Sequence, residues 1–350
     1  MKNGLGAIHR LGLHRLLRPL SQGIGIILTL HRVRPEHERL SDLGGFDSFD
    51  PNGLLEVTPD FLDMCIEALK AEGLTFVTLD EVIETLAQPD PNKARVATLT
   101  FDDGYIDNAT HALPVLEAHN VPATIYMPSD YPQGRGELWW VALERAIRSA
   151  EQMLLPHRLD EGPRSTKTAE EKMAAYLDIY WHLRQVDQDS QREIVRDLAA
   201  EHGLDMDRLC AELIVDIAGL KTLATHPLIT IGAHTQSHRA IAALSEADAL
   251  NEMIGGANWL EATLGSRPDH FAFPYGDAGS AGPRDFELAK QAGFTSAVTT
   301  RKGMLFAEHR DHLFGLPRVS LNGNFQERRF VELYASGAPF LLANKFKKVA

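Results

Sequence analysis

Short apolar runs rich in β-branched residues recur along the chain, and most are followed by a stretch with helical periodicity. This alternation constrains the fold more than any other feature of the sequence. Successive strands separated by helices cannot pair as hairpins, so they must lie parallel, with the helices as crossovers. The β-rich runs fall at 24–30, 74–79, 95–101, 122–127, 228–233, 270–276, 294–299 and 316–321. Helical patterns occupy 59–72, 80–87, 108–119, 246–264 and 283–292. The first of these has Thr58 as N-cap, Pro59 at its first position and Gly73 beyond its end, and Ser245 and Asp248 begin the fourth. The simplest closed arrangement is an α/β fold: a distorted (β/α) barrel of about seven parallel strands. A doubly wound open sheet is the rival. No strand is followed by GxGxxG, a Walker loop or GxSxG, which sets aside dinucleotide, P-loop and hydrolase-elbow chemistry.

The rhythm breaks over 131–226, where helix signals dominate. Thr168 with Glu171 and Ser190 with Glu193 both have capping-box spacing, and Gly203 would close the second helix. The reading is a helical insertion within a barrel spanning 24–340, preceded by a basic amphipathic segment, 1–23, and followed by a basic tail, 341–350. The first segment carries Lys2, Arg10, Arg15 and Arg18 and no acids, with Leu5, Ile8, Leu11, Leu16 and Leu20 at roughly helical spacing. It fits either a helix packed on the domain or a peripheral contact with an anionic membrane. The early apolar run 24–30 is too short to span a bilayer and lacks a small-residue cleavage site, so the expected location is cytoplasmic, at the inner membrane surface if 1–23 binds there. Residues 32–57, with Gly44 and Gly45, read as a long loop. Trp139 and Trp140 open the insertion, either as an exposed pair suited to stacking on a sugar or as an anchor in the core. Cys65 and Cys210 sit in helical patterns and read as buried thiols. The formal net charge of −13 excludes an open nucleic-acid surface.

Chemistry gathers at the strand ends, where a parallel barrel places its active site. The run at 95–101 ends in Asp102, Asp103 and Gly104; the first ends in His31; that at 228–233 leads into His234 and His238; and that at 270–276 carries Tyr275. Two histidines four apart share a face on one turn of helix or a tight helical loop. Two imidazoles and a carboxylate are a common set for a divalent metal that keeps open positions. Two adjacent aspartates would point to opposite faces of a straight strand, so Gly104 is expected to permit a turn that brings both to one mouth.

Thr100–Gly104 (TFDDG) and His234–His238 (HTQSH) together resemble the polysaccharide deacetylases, the NodB-homology carbohydrate esterases. The resemblance runs from about residue 24 to 321 apart from the insertion, and it implies a distorted barrel of about seven strands. It also implies a hydrolase that removes acetyl groups, most simply N-acetyl, from a glycan polymer or oligomer by metal-activated water. Asp103, His234 and His238 would hold one divalent ion, Zn²⁺ by preference; Asp102 would be the general base; and the Tyr275 backbone N–H would face the oxyanion. The family's third motif carries an arginine that steadies the base, but Ala272 stands there. Its final Leu-x-His, which supplies the general acid, is replaced by Leu316-Pro317-Arg318. His31 is the first candidate for that acid, ahead of His309 and His312, and Arg318 is assigned to the substrate or oxyanion, or to a structural ion pair. An O-acetyl esterase, a metal-independent hydrolase of a small cyclic amide and an inactive glycan-binding barrel are the alternatives.

Overall fold

Strand β1 (Gly25–Leu30) is buried along its whole length, as a strand must be when both its faces are covered. The computed structural model describes residue 6 and residues 9–42, 49–156 and 159–349. Lys2, Leu5, Ile8, Gly44 and Gly45 lie outside them. Seven further strands join β1: β2 (Thr75–Phe76), β3 (Val96–Asp102), β4 (Ala123–Met127), β5 (Ile229–Ala233), β6 (His270–Ala272), β7 (Ser296–Val298) and β8 (Val319–Ser320). Their order is β7-β6-β5-β4-β3-β1-β8, with β2 on β3 off this path. Every pairing among them is parallel.

The segment from Leu316 to Leu321 bonds in both directions. Leu316 bridges to Val298 of β7, Val319 and Ser320 pair with β1, and Arg318 N–H donates to the Arg301 carbonyl. That segment therefore closes the sheet into the expected distorted barrel, seven strands along the path and an eighth short one beside it.

The helices are α1 (Leu13–Ser21), α2 (Glu36–Asp42), α3 (Pro59–Ala71), α4 (Leu79–Ala87), α5 (Leu113–His119), α6 (Trp139–Ser149), α7 (Ala169–Leu183), α8 (Gln188–Glu201), α9 (Met206–Leu213), α10 (Ile217–Ala224), α11 (Glu246–Leu264), α12 (Pro283–Gln291), α13 (Arg328–Ser336) and α14 (Ala338–Ala343). Strand alternation divides the apolar side chains between layers. Leu99 and Phe101 of β3 face the outer helices, while Ile27, Val96, Tyr126, Ala272, Val298 and Leu316 fill the interior. A separate core including Trp139, Trp140, Ile179, Val195 and Leu209 joins α6 to α9. Cys65 and Cys210 are both buried and free.

Local departures from the sequence reading have local causes. Thr58 accepts from Phe61 N–H and starts α3 as expected, and Thr168 and Glu171 form the reciprocal box of α7. Ser190 does not begin α8. Asp187 does, accepting from the N–H groups of Asp189 and Ser190, so the helix begins one turn earlier and takes Ser190 into its first turn. The helix expected at 108–119 opens with a wide turn in which Leu113 N–H donates to the Asn108 carbonyl. Pro114 lacks the N–H that the next α-helical bond needs, which favours the wider ring. Residues 32–57 are more than a loop, for they contain α2 and a parallel pair, Arg32–Val33 on Glu56–Val57.

Gly25 begins β1 where the backbone of β3 approaches closely. A Cβ there would lie 2.1 Å from the Val96 carbonyl oxygen. Gly25→Ala should therefore destabilise the protein by about 1–3 kcal/mol or more, read as a lowered denaturant midpoint with an unchanged slope.

Candidate active site

Strand β3 presents Thr98, Thr100 and Asp102 on one face and Leu99 and Phe101 on the other. Asp102 thereby points into the barrel. Asp103 would point away if the strand ran on, but its backbone turns left-handed, φ 74°, followed by Gly104 at φ 71°. Two consecutive left-handed residues make the turn, so the strain falls on Asp103 as well as on the glycine. A side chain at Gly104 would also meet the Met127 thioether, 2.1 Å from its methyl carbon.

The loop after β5 is a tight turn instead of a helical one. Thr235 and His238 are left-handed, φ 68° and 61°, and Thr235 Oγ1 accepts from His238 N–H at 2.9 Å. Glu252 of α11 braces it, accepting from the backbone N–H groups of Gln236 and Ser237 and from the Ser237 hydroxyl. The two imidazole rings end 5.0 Å apart.

One ligand atom each from Asp103, His234 and His238 lies within 4.8 Å of the others. The Nε2 atoms of His234 and His238 stand 3.6 and 3.3 Å from Asp103 Oδ1. His234 Nδ1 is 2.6 Å from the Ala272 carbonyl, so that nitrogen carries the proton and Nε2 presents a lone pair. Burial holds both imidazoles neutral, His234 at about 4 and His238 well below its ordinary value. Asp103 is 1% exposed, and its Oδ1 has no hydrogen-bond partner. Burial and the neighbouring Asp102 charge push its carboxyl far above the usual range. A buried carboxylate facing two lone pairs lacks a positive charge, and a divalent cation fits that deficit.

Arg318 occupies a different place from the substrate or oxyanion position. It is fully buried, and its Nη1 and Nη2 donate to Asp102 Oδ1 and Oδ2 at 2.7 Å each. Nη1 also reaches Thr100 Oγ1 at 3.1 Å, and Nε reaches the Thr299 carbonyl at 2.9 Å. With each of its three nitrogens directed at an internal partner or at the Asp102 carboxylate, Arg318 is the structural ion-pair partner of Asp102. It supplies the guanidinium that Ala272 does not, entering from the closing strand over the Tyr126 ring. Burial alone would raise the Asp102 carboxyl, but Arg318 outweighs it, helped by His234, and the group stays ionised far below the usual carboxylate range.

His31 ends β1 near this pair. Loss of water lowers its affinity for a proton, the Asp102 charge opposes that, and Arg318 adds to it. Its ring nitrogens have no partner among the described residues. His309 and His312 are elsewhere. The turn that carries them follows Leu305, which pairs with Gly25 at the start of β1, and His309 Nδ1 is engaged with the Phe306 backbone. They lie at the opposite end of the barrel. Tyr275 is left-handed, φ 61°. Its ring lies 5.0 Å from that of His238, and its backbone N–H has no acceptor among the described residues.

The helical segment roofs the site. Trp139 and Trp140 are buried, not an exposed pair; their indole N–H groups donate to the hydroxyls of Tyr275 and Tyr105. Trp140 and Tyr131 flank the His238 ring at 5.3 and 5.9 Å. Val215 N–H donates to the Gly104 carbonyl, Arg192 Nη2 to the Ser237 carbonyl at 2.6 Å, and Gln188 exchanges two bonds with Ala240. Tyr105 and Tyr131 escaped the sequence reading, and of the two places it offered Arg318 the structure takes the ion pair. Tyr105 follows the DDG turn directly but no spacing marks its role, while Tyr131 and Arg318 reach the site from other parts of the chain.

A family model described as polysaccharide deacetylase matches residues 90–151 and 212–297. No curated protein sequence matches the chain. Among solved structures, the Streptococcus pyogenes deacetylase PplD in complex with acetate superposes at TM-score 0.56 and 17% identity, over 88% of this chain and 97% of that one. IcaB from Ammonifex degensii gives 0.52 and 16%, over 90% and 97%. The BpsB deacetylase domain from Bordetella bronchiseptica gives 0.51 and 15%, over 86% and 97%. These likenesses are of fold. With the family match falling on the segments that carry both motifs, the chain is recognised by its similarity to the polysaccharide deacetylase (NodB-homology) family, hydrolases of non-peptide carbon–nitrogen bonds.

Proposed function

We propose that this protein is a metal-dependent deacetylase that removes N-acetyl groups from a glycan polymer or oligomer. The convergence of Asp103, His234 and His238 beside an ionised Asp102 carries the reading. A divalent cation, Zn²⁺ from the donor set of two nitrogens and one oxygen, would acidify water and polarise the acetyl carbonyl. Asp102 is the general base. Arg318 takes one lone pair on each of its oxygens, and a carboxylate keeps others for the proton it receives. The free Tyr275 N–H is placed to stabilise the oxyanion as the carbonyl becomes tetrahedral. His31, unbonded at the end of β1, gives its proton to the departing amine. The surrounding rings keep the site dry, which strengthens each of these interactions.

Purified protein should hold one divalent ion per chain by elemental analysis and should release acetate from acetylated glucosamine oligomers. Asp102→Asn should keep the ion and lose about 10²–10⁴-fold in turnover. Metal-free protein with full activity would sink the reading. For His31→Gln, N-acetyl hydrolysis should fall by about 10²-fold or more. Its hydrolysis of 4-nitrophenyl acetate, whose leaving group needs no proton, should change little. Equal losses on both substrates would remove His31 from that role. Arg318→Met strands a buried carboxylate and should cost about 3–5 kcal/mol by denaturant titration, with turnover falling while Asp103, His234 and His238 still bind the ion.

A further inference from the structure

Helix α1 is turned inside out. His14 and Ser21 face the protein and are buried, while Leu13, Leu16 and Leu20 point to water, with Leu16 77% and Leu20 67% exposed. These three leucines fall at i, i+3 and i+7, one stripe of the helix. Leu11, just before it, is 72% exposed. The docking of α1 is real, for Ser21 Oγ donates to the Ser336 carbonyl and Arg18 Nη2 to the Glu72 carbonyl. The leucines are thus left outside by a helix that is itself held in place. Beside it, α14 carries exposed Leu342 and is followed by Phe346, 63% exposed.

The charge around this apolar surface is one-sided. The chain carries a net −13, yet residues 1–23 and 338–350 contain no acid. Three carboxylates beside it are engaged: Glu72 by Arg18, Glu332 by His9 and Arg328, and Glu308 by Lys348. Arg10, Arg15, Lys345 and Lys347 have no carboxylate partner among the described residues. Exposed leucines and a phenylalanine interleaved with unpaired cations match the acyl boundary and the phosphate layer of an anionic bilayer. Among the described residues no helix is long and apolar enough to cross a membrane, so the contact lies on the surface.

We propose that α1, with α14 and the basic tail, docks this protein on an anionic lipid bilayer. Its orientation follows from the topology. Ser21 and Gln22 lead directly into the start of β1, and Gln22 bonds to Arg95 at the start of β3, whereas Asp102 and Asp103 lie at the end of β3. The docking face is therefore at the strand beginnings, and the catalytic mouth faces away from the membrane. The proposal does not depend on the deacetylase reading.

Vesicle co-sedimentation tests it, with equal parts phosphatidylglycerol and phosphatidylcholine set against phosphatidylcholine alone. The full chain should bind the anionic vesicles at low salt, lose binding as salt rises, and bind neutral vesicles at least tenfold more weakly, on the order expected for loss of several charge contacts. The Leu16→Gln/Leu20→Gln pair should weaken binding by about tenfold or more, and Lys345→Gln/Lys347→Gln by severalfold. Circular dichroism and thermal midpoint should stay those of the parent protein. Failure of the parent to bind at low salt, or binding undiminished in the leucine pair, overturns the proposal. So does a dimer in sedimentation equilibrium that the leucine pair dissociates, since a second copy would then be the occupant.

Discussion

The contact between Arg318 and Asp102 ties together more of this molecule than any other. Both side chains are almost wholly out of water, where an unpaired charge would cost several kcal/mol. The pair is tolerable because its geometry is bidentate and Thr100 and Thr299 engage two further donors. Its partners come from β3 and from the segment that closes the barrel between β1 and β7. Closure and the orientation of the Asp102 carboxylate are therefore one event. A barrel left open at that seam would leave Asp102 without the charge that keeps it ionised.

Strain gathers around the same point. Asp103, Thr235, His238 and Tyr275 all adopt left-handed backbone without being glycine, each at a cost on the order of 1–3 kcal/mol. Such conformations persist only where the surroundings over-determine them. Here Val215 holds the turn after β3, Glu252 and Arg192 hold the turn after β5, and the Arg184 guanidinium lies 4.0 Å over the Tyr275 ring. Several of these braces belong to the helical segment that interrupts the strand rhythm. It shapes the site without donating a ligand, and its rings exclude the water that would otherwise screen the paired charges. The barrel then divides its labour by end. The strand ends concentrate buried, paired charge, while the strand beginnings carry the unpaired cations and exposed leucines.

Much of this was legible in the sequence because it depends on short-range pattern. Alternating β-runs and helices dictate parallel strands, and Thr58, Thr168 and Ser245 cap their helices through bonds that span three residues. DDG and HxxxH each bring their own side chains together within a turn. Competition between neighbours was less legible. Asp187 and Ser190 are both able to begin the helix, and only the chain's path shows that it starts at Asp187. Trp139 and Trp140 take the core place that the sequence offered beside a surface one, and only burial decides between the two.

The sequence by itself determined the fold class, the parallel order of the strands and the residues able to ligate a cation, since periodicity and local spacing are intrinsic to the chain. Only the tertiary structure decided which arginine serves Asp102. Ala272 breaks the expected pattern, and its replacement lies 216 residues from the aspartate. No local rule couples positions that far apart; they meet because the sheet closes, and a buried carboxylate accepts whichever guanidinium that closure delivers.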